Sequence, residues 1–394
     1  MARDCPVRDW SGFDLHLPSH RKDAEASWEE MRGETALPHS DKYGGYYVLT
    51  RHDHVREAAA RYEVFTSAEG VALPDEARTR HIPEEVDPPL QRSYRRILDP
   101  FLSRDAVAAA EPLMRGHARA LLDELRGKDR IEFVSMVSEP FPVRVSLDAF
   151  GFPAADAPKL FDMVQTLIAR RADGSGKIAS EALTAYLMAL LQERAKPSAP
   201  ADVITAIAKG EVDGAPMSID DKVSMTRLLL FGGFTTVNLA LSYSVYLLAR
   251  QPELARTLRS DPESYTLALE EFIRLSTPAT YLRRTATKEH RLGDTVVKPG
   301  EQVLLCFGAA NRDPAVFEAP EEVRLTRNPN PHLGFGFGAH RCAGSQFGKA
   351  QLRIMLEELF ARYSAIELDP AGAIQWGSGE TQGLTALPLL VRAA

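Results

Sequence analysis

The sequence of 394 residues predicts a mainly α-helical protein with small β-sheets, and three observations support this fold class. Segments with helical apolar spacing extend, with breaks, from about Leu90 to about Ala309. One helix would begin at the capping sequence after Ser218 and meet no helix breaker before Pro252. Short alternating strands follow, separated by glycine and proline, which is typical of a small sheet. The chain contains no repeat and no long linker, so residues 1–394 are predicted to form a single domain.

The individual elements follow from local composition in chain order. Tyr46–Leu49 is predicted to be a strand because it consists of four residues that favour pleated structure. Residues 193–201 and 211–216 are predicted loops, since proline and glycine concentrate there. The helix after Ser218 would contain about 33 residues and measure about 50 Å. So apolar a helix is expected in the middle of a large fold. Later strands are predicted at Thr295–Val297 and Val303–Leu305.

Composition and charge exclude several classes of protein. Apolar residues make up 44% of the chain, which is ordinary for a globular protein. The net charge is -7, which gives no support for binding to nucleic acid or to an anionic membrane.

The apolar run Leu228–Leu241 is shorter than the ~18 residues of a membrane helix, and Met1–Leu17 lacks the apolar core of a signal peptide. Three scattered cysteines, Cys5, Cys306 and Cys342, do not form a disulfide framework. A soluble, cytoplasmic protein is expected.

The most informative segment is glycine-rich and contains Cys342. This cysteine comes directly before a helix that is predicted to run to about Ala361. A cysteine at a helix N-terminus is favoured as the thiolate, because the positive end of the helix dipole faces it. The neighbouring glycines allow the backbone to approach a flat ligand closely. Taken alone, a glycine-rich turn that carries a buried structural cysteine is the alternative interpretation.

The ten residues Phe335–Gly344, FGFGAHRCAG, resemble the haem-binding loop of the cytochrome P450 superfamily, in which the cysteine thiolate is the axial iron ligand. The resemblance implies the fold of that family, with haem b between the long central helix and the helix after the cysteine. It implies that Cys342 binds the iron. Other loop residues would contact the haem, namely Phe335, Gly336, His340, Ala343 and Gly344.

Glu271-Phe-Ile-Arg274 resembles the E-x-x-R helix of the same family, and Arg327 would be the third member of its ion network. The resemblance implies an interior network with a structural role behind the cysteine loop. Taken alone, the two residues on one helix would suggest an exposed pair that contributes only ~0.2–0.5 kcal/mol.

Four polar or basic residues match the positions that bind the haem propionates in this family. Arg284 follows the E-x-x-R helix, and Gln91 and Arg95 lie at the start of a predicted helix. His340 precedes the cysteine by two residues. Many relatives have histidine at the position of Gln91. Arg95 would supply the charge-assisted hydrogen bond that a carboxylate favours.

The segment Gly232-Gly233-Phe-Thr235-Thr236 of the long helix resembles the oxygen-binding signature of the family. There, a small residue opens the helix over the iron and an alcohol, here Thr236, helps to deliver protons. Thr235 occupies the position of the usual carboxylic acid. A hydroxyl near pH 7 cannot relay charge as a carboxylate does, so protons would pass through water and Thr235 or come from a different supply.

Substrate-facing residues are assigned by analogy to the family, and each of them is equally compatible with ordinary core packing. They are mostly apolar, which favours a small, aromatic or terpenoid-like substrate. Arg170 and Arg171 would either anchor a substrate carboxylate or remain solvated. The assigned residues are the loop 65–74 and Phe231, Phe234, Ala279, Thr280, Leu282 and Gln382.

The resemblance implies a monomeric monooxygenase that inserts one atom of O2 into its substrate by hydroxylation or oxidative demethylation. The sequence contains neither a flavin-binding motif nor four clustered cysteines, so electrons would come from a separate ferredoxin and its reductase. A peroxide-driven oxygenase, an enzyme like the nitric-oxide reductases of this family, and a haem sensor remain alternatives. The ferredoxin would dock on five basic residues, which otherwise form a solvated face: Arg92, Arg96, Arg341, Lys349 and Arg353.

Overall fold

Helices make up about half of the computed structural model, which describes residues 9–19, 24–74, 80–168 and 175–394. The sheets are small, so the predicted fold class of helices with minor β-structure is confirmed.

The α-helices of the described chain, in order, are α1 (Ala24–Gly33), α2 (His52–Ala60), α3 (Leu90–Leu98), α4 (Arg104–Asp123), α5 (Pro140–Phe150), α6 (Ala157–Ile168), α7 (Ser175–Arg194), α8 (Val203–Ala208), α9 (Ile219–Arg250), α10 (Pro252–Ser260), α11 (Tyr265–Ser276), α12 (Phe307–Ala310) and α13 (Ser345–Arg362). A π-helical segment, Val134–Ser138, precedes α5.

The strands are β1 (His39–Ser40), β2 (Tyr46–Leu49), β3 (Phe65–Thr66), β4 (Arg130–Glu132), β5 (Glu211–Val212), β6 (Ala215–Pro216), β7 (Tyr281–Ala286), β8 (His290–Leu292), β9 (Thr295–Val297), β10 (Gln302–Cys306), β11 (Tyr363–Leu368), β12 (Gln375–Gly377), β13 (Gly383–Ala386) and β14 (Pro388–Ala393).

The chain divides into two compact units. The first unit consists of Met1–Arg78, Thr266–Cys342 and Trp376–Gly383, and the second consists of Thr79–Tyr265, Ala343–Gln375 and Leu384–Ala394. Each is described by itself below, within the described residues. The single domain over residues 1–394 stays a prediction.

The first unit is built on a five-stranded sheet with the order β1-β2-β10-β7-β3. Strand β10 pairs in parallel with β2 and antiparallel with β7. Its residues alternate between two apolar clusters: Val303 and Leu305 lie in one, and Leu304 and Cys306 in the other. Both faces of the sheet are therefore covered, which explains why β10 reads as a continuous apolar run.

The second unit contains the long predicted helix, α9, which spans 32 residues. It begins as predicted, because the Ser218 hydroxyl accepts a hydrogen bond from the Asp221 amide at 3.1 Å. Among the described residues, α9 alone is long and apolar enough to span a membrane, yet 61% of its most apolar window is buried inside the structure. The central helix of a soluble fold has the same properties.

Two local predictions were wrong. Residues 211–216, predicted as a loop, form the hairpin of β5 and β6. Asp213 and Gly214 adopt φ values of 52° and 80°, and an Asp-Gly pair favours this tight turn. The helix predicted directly after Cys342 begins at Ser345, with Gly344 as its N-cap.

Candidate functional site

The first unit contains a buried ion network around one carboxylate. Arg274 donates to both carboxylate oxygens of Glu271, each at 2.8 Å. Arg327 donates from Nε to the same oxygens at 3.0 and 3.1 Å. Glu271 and Arg274 are 0% exposed and Arg327 is 9% exposed. The structure therefore brings the three residues of the predicted network together in the interior, and an exposed helix pair is excluded.

The electrostatics of this network keep Glu271 ionised. Burial alone would raise the pKa of the carboxyl group, but hydrogen bonds and charges from Arg274, followed by those from Arg324 and Arg327, lower it overall. The remaining donors of Arg274 reach the carbonyls of Asn311 and Pro320 at 2.8 and 2.7 Å. The network thus fastens the backbone that follows α12 to helix α11.

A short chain of hydrogen bonds connects the network to the cysteine loop. The Asn311 side chain accepts from the Leu333 amide at 2.6 Å and donates to the Thr277 hydroxyl at 2.8 Å. The Leu333 carbonyl accepts from the Gly336 amide at 2.8 Å. The Phe335 carbonyl then accepts from the amide of Cys342 at 2.8 Å. Sequence reasoning missed Asn311, because its partners lie far away along the chain.

Glycine is required at two positions of this loop. Gly338 has a φ of 72°, and a Cβ atom there would lie 2.8 Å from the carbonyl oxygen of Ala59. Gly334 packs against Ile273, whose side chain would be 2.8 Å from a Cβ atom. The loop is therefore held tightly against α2 and α11, and this fixes the backbone that leads to Cys342.

The two described cysteines have opposite environments. Cys342 is exposed, whereas Cys306 is completely buried. Burial raises the pKa of the Cys306 thiol to about 12, and its sulfur accepts from the Ala309 amide at 3.4 Å. Cys306 is a structural residue, and the Cys342 thiol is the one that a ligand can reach.

The candidate propionate ligands are divided between the units. In the first unit, Arg284 is buried on β7, and the Nε2 atom of His340 lies 3.2 Å from the Ser67 hydroxyl. In the second unit, Gln91 is buried in the first turn of α3. Arg95 follows one turn later and donates to Asp99 at 3.1 Å. Their haem-binding roles stay predictions.

The oxygen-side segment lies in the middle of α9. Thr236 donates its hydroxyl hydrogen to the carbonyl of Gly232 at 2.9 Å. A Cβ atom on Gly232 would meet open space, whereas one on Gly233 would lie 2.8 Å from the Ser146 hydroxyl of α5. The helix is continuous from Ile219 to Arg250, so the opening that the family signature implies is not seen. Thr235 is half-buried.

The substrate-facing candidates of the second unit have different exposures. Phe234 is buried, and Phe231 is half-buried beside the ring of His81, with 5.7 Å between the ring centroids. Arg170 and Arg171 lie outside the described residues.

In the first unit, Ala279 and Leu282 are half-buried and Gln382 is buried. Thr280 is also buried, and its hydroxyl donates to the Thr277 carbonyl at 3.0 Å. The Thr280 hydroxyl is thus turned to the backbone. The loop 65–74 is fastened by Arg283, which donates to the Gly70 carbonyl at 3.2 Å.

One of the five basic residues assigned to partner docking is already used within the second unit. Arg353 of α13 donates to Glu357 at 2.9 Å and also to Glu111 of α4. Burial opposes a rise in the Arg353 pKa, but these carboxylates raise it overall. The expectation of a solvent-facing cation at this position is corrected. Arg92, Arg96 and Arg341 are exposed, and Lys349 is half-buried.

The residues present fit a haem group. Haem requires an axial ligand, cations for two carboxylates and close approach of backbone to its faces. The first unit by itself contains the first two kinds of group, the exposed thiol of Cys342 and the buried cation Arg284.

Comparisons with known proteins support this assignment of chemistry. A sequence model of the family described as Cytochrome P450 matches residues 143–375. Cytochrome P450 130 of Mycobacterium tuberculosis is 32% identical over 347 residues, which are 85% of each chain. Linalool 8-monooxygenase of Pseudomonas putida is 26% identical over 351 residues, which are 84% of this chain and 86% of that enzyme. The crystal structure of cytochrome P450 CYP101C1 superimposes with a TM-score of 0.89, at 29% identity and 100% coverage of both chains.

We expect Cys342→Ser to abolish the red-shifted carbon-monoxide band of the reduced, haem-loaded protein, because a hydroxyl does not replace a thiolate as iron ligand. The band is measured by difference spectroscopy. Cys306→Ala is the matched control and should keep it. A band that persists in Cys342→Ser contradicts the assignment.

We expect Glu271→Gln to lose about 3–5 kcal/mol of stability at neutral pH, because the change leaves buried arginine charges without their partner. The pKa of Glu271 is lowered in the folded state, so its contribution is present above the unfolded pKa and disappears as pH falls through the folded value. The difference between native protein and variant should therefore shrink in acid. Thermal unfolding across pH measures it.

The neighbouring Glu270→Gln is the control for this experiment, since the Glu270 side chain is 28% exposed and pairs with His332 at 2.8 Å, outside the Glu271 network. It should destabilise the protein much less. Equal stability of Glu271→Gln and native protein at neutral pH would exclude a structural role for the network.

Proposed function

This chain belongs to the cytochrome P450 superfamily, and from that premise we propose that it inserts one oxygen atom of O2 into a small, largely apolar substrate, with electrons from a separate ferredoxin-type protein. The enzyme is a haem monooxygenase, an oxidoreductase whose family binds cysteine-ligated haem. When bound, haem supplies the activation of dioxygen.

The observation that carries the proposal is the exposed thiol of Cys342 at the end of a loop fixed by hydrogen bonds. Cys342 would be the thiolate ligand of the iron. Arg95 and Arg284 would neutralise the two propionates, with Gln91 and His340 as further donors. Paired charges of this kind form short, strong hydrogen bonds, so they would fix the haem in one orientation.

The proposed catalytic alcohol is Thr236. Its hydroxyl hydrogen donates to the Gly232 carbonyl. The Thr236 oxygen therefore keeps lone pairs that can accept a hydrogen bond from a proton donor beside the open space at Gly232. Thr235, one residue earlier, carries no acid. The proton supply of this enzyme would therefore pass through the two hydroxyls and water rather than through a carboxylate.

The apolar character of the half-buried candidate residues supports the proposed substrate class. Phe231, Ala279 and Leu282 offer aromatic and aliphatic contacts and no charge. Linalool 8-monooxygenase, one of the relatives, is named for a terpenoid alcohol. For this chain we propose an aromatic or terpenoid-like substrate, placed by these side chains.

The electron donor is proposed to dock on exposed basic residues. Arg92 and Arg96 lie on the exposed side of α3, and Arg341 immediately precedes the proposed iron ligand. Such cations attract an acidic partner electrostatically, and dissolved salt shortens the distance over which this attraction acts. We also propose that the enzyme is a monomer and that it is located in the cytoplasm.

A second candidate function is favoured by one observation, the absence of an acid at Thr235. A peroxide-driven oxygenase needs no proton supply for dioxygen, and an enzyme like the nitric-oxide reductases of this family also dispenses with the helix acid. A haem sensor is the third alternative, and substrate-dependent oxygen consumption would exclude it.

We expect Thr236→Ala to keep consuming oxygen but to release most of it as hydrogen peroxide, because the alcohol that directs the proton is lost. Oxygen consumption, peroxide and hydroxylated product are measured together with a ferredoxin chain. Thr236→Ser keeps the hydroxyl and should retain coupling. Native-like product yield in Thr236→Ala would contradict the role of the alcohol.

Thr235→Asp tests the second candidate. A carboxylate at this position would deprotonate hydrogen peroxide, so the variant should gain peroxide-driven turnover over the native enzyme. If native protein already turns over faster with peroxide than with a ferredoxin chain, the monooxygenase proposal is wrong and the peroxide-driven function replaces it.

A further inference from the structure

Helix α9 is buried along most of its length, but one stripe of its surface is accessible within the second unit. Leu228, Phe231 and Thr235 are half-buried, and Gly232 is exposed. Residues three, four and seven positions apart lie on the same side of a helix, so these positions form one continuous accessible stripe. Thr236, the proposed catalytic alcohol, borders it. A small molecule that reaches this alcohol therefore lies against the accessible stripe.

The backbone on either side of His81 is fastened to the same helix. The Ser224 hydroxyl of α9 accepts a hydrogen bond from the Ile82 amide at 2.9 Å and donates one to the carbonyl of Arg80. Ser224 is buried and precedes Leu228 by four residues, so it continues the accessible stripe toward the start of the helix. His81 lies between the two bonded residues and is thereby fixed beside this stripe.

The imidazole of His81 extends along α9 as far as Phe231. The two ring centroids are 5.7 Å apart, and the ring planes are inclined by 39°. Phe231 follows Ser224 by seven residues, which is about 10 Å along the helix axis. The His81 side chain is 21% exposed. The imidazole is therefore a polar group at the edge of the accessible stripe, beside an aromatic ring that lies one helical turn before Thr235.

A neighbouring carboxylate determines which nitrogen of the His81 ring is available to a ligand. The Nδ1 atom lies 3.8 Å from the carboxylate of Glu84. A neutral imidazole carries one hydrogen, and a carboxylate on the side of Nδ1 favours the tautomer that has this hydrogen on Nδ1. Nε2 is then the acceptor of the ring. A ligand that bonds to Nε2 must supply a hydrogen-bond donor.

We propose that His81 accepts a hydrogen bond from a hydroxyl group of the substrate, and that the substrates are small alcohols with an aromatic or terpenoid body. The inference rests on the proposed function, because it places oxidation near Thr235 and Thr236. Ketones, ethers and ionised carboxylates offer only acceptors, so they do not satisfy Nε2. With its hydroxyl at His81 and its body along Phe231, the substrate presents a carbon remote from the hydroxyl for oxidation. His81 is thus a specificity-determining residue.

The first experiment uses the native, haem-loaded enzyme and two pairs of compounds that share a carbon skeleton: menthol with menthone, and 2-indanol with 2-indanone. Binding is measured by the spin-state shift of the ferric spectrum and, independently, by calorimetry. We expect each alcohol to bind about threefold to tenfold more tightly than its ketone, which is the effect of one neutral hydrogen bond. Ketones that bind as tightly as the alcohols in both pairs would overturn the inference.

The second experiment uses variants of His81. His81→Phe keeps an aromatic ring beside Phe231 but has no acceptor, so it should bind the ketones as the native enzyme does and lose the preference for the alcohols. His81→Gln has amide donors as well as an acceptor, so it should bind the ketones more tightly than the native enzyme.

His117→Phe is the matched control, because the same change is made in the same unit at a histidine of α4 that pairs with Asp148 at 2.9 Å. It should retain the native ratio of alcohol to ketone binding. A purely structural role of His81 would alter the binding of alcohol and ketone alike and leave their ratio unchanged in His81→Phe, and that outcome would refute the proposal.

If His81→Phe fails to fold, the preference of the native enzyme and the ketone binding of His81→Gln still decide the question. The outcomes also separate this inference from the proposed function. Oxidation of alcohols and ketones without any advantage for the alcohols removes only the role of His81. Failure of all four compounds to bind or to be oxidised removes both the proposed substrate class and the inference that rests on it.

Discussion

The carboxylate of Glu271 between two arginines is the interaction on which the first unit depends. Three charges lie in the interior together: the two arginines neutralise the carboxylate, and the carboxylate offsets the charge of each arginine. The other N–H groups of the two arginines donate to backbone carbonyls of the segment after α12. Through Asn311 and Leu333 this order reaches the cysteine loop. A loop with so many glycines loses considerable conformational entropy on becoming ordered, and these hydrogen bonds offset that loss.

The second unit is built around its central helix, α9. This helix must be buried along most of its length and accessible at one place. Close packing at Gly233 against Ser146 brings α5 against α9, while the neighbouring Gly232 leaves open space. Two hydroxyls of α9 donate to carbonyls of the same helix: Thr236 to Gly232 at 2.9 Å, and Ser242 to Asn238 at 2.9 Å.

The sequence was sufficient for the features that local chemistry determines. The cap at Ser218 predicted the start of α9, and the spacing of Glu271 and Arg274 predicted their pairing once a family resemblance supplied Arg327. The fold class followed from the helical spacing of apolar residues, and the family from the resemblance of the loop Phe335–Gly344. The propionate, oxygen-side and substrate assignments remain predictions that came from resemblance.

The features that were missed depend on distant parts of the chain. Strand β4 pairs with β14, which lies more than two hundred residues away along the chain. Because β4 has only three residues, its sequence shows too little alternation to predict a strand. Arg353 was taken for a solvent-facing cation because its partner Glu111 lies on another helix. The Thr280 hydroxyl donates to the carbonyl of Thr277, three residues earlier, and the packing of the loop determines this orientation.

The central claim is that the ordered loop presents Cys342 to haem iron, and mass-spectrometric mapping of thiol alkylation tests it most directly. In the haem-free protein the exposed Cys342 should react, and in the haem-loaded protein iron should protect it. Cys306 should stay unreactive in both, because its thiol is buried and its pKa is raised to about 12. Equal modification of Cys342 with and without haem, while Cys306 stays protected, would contradict the account.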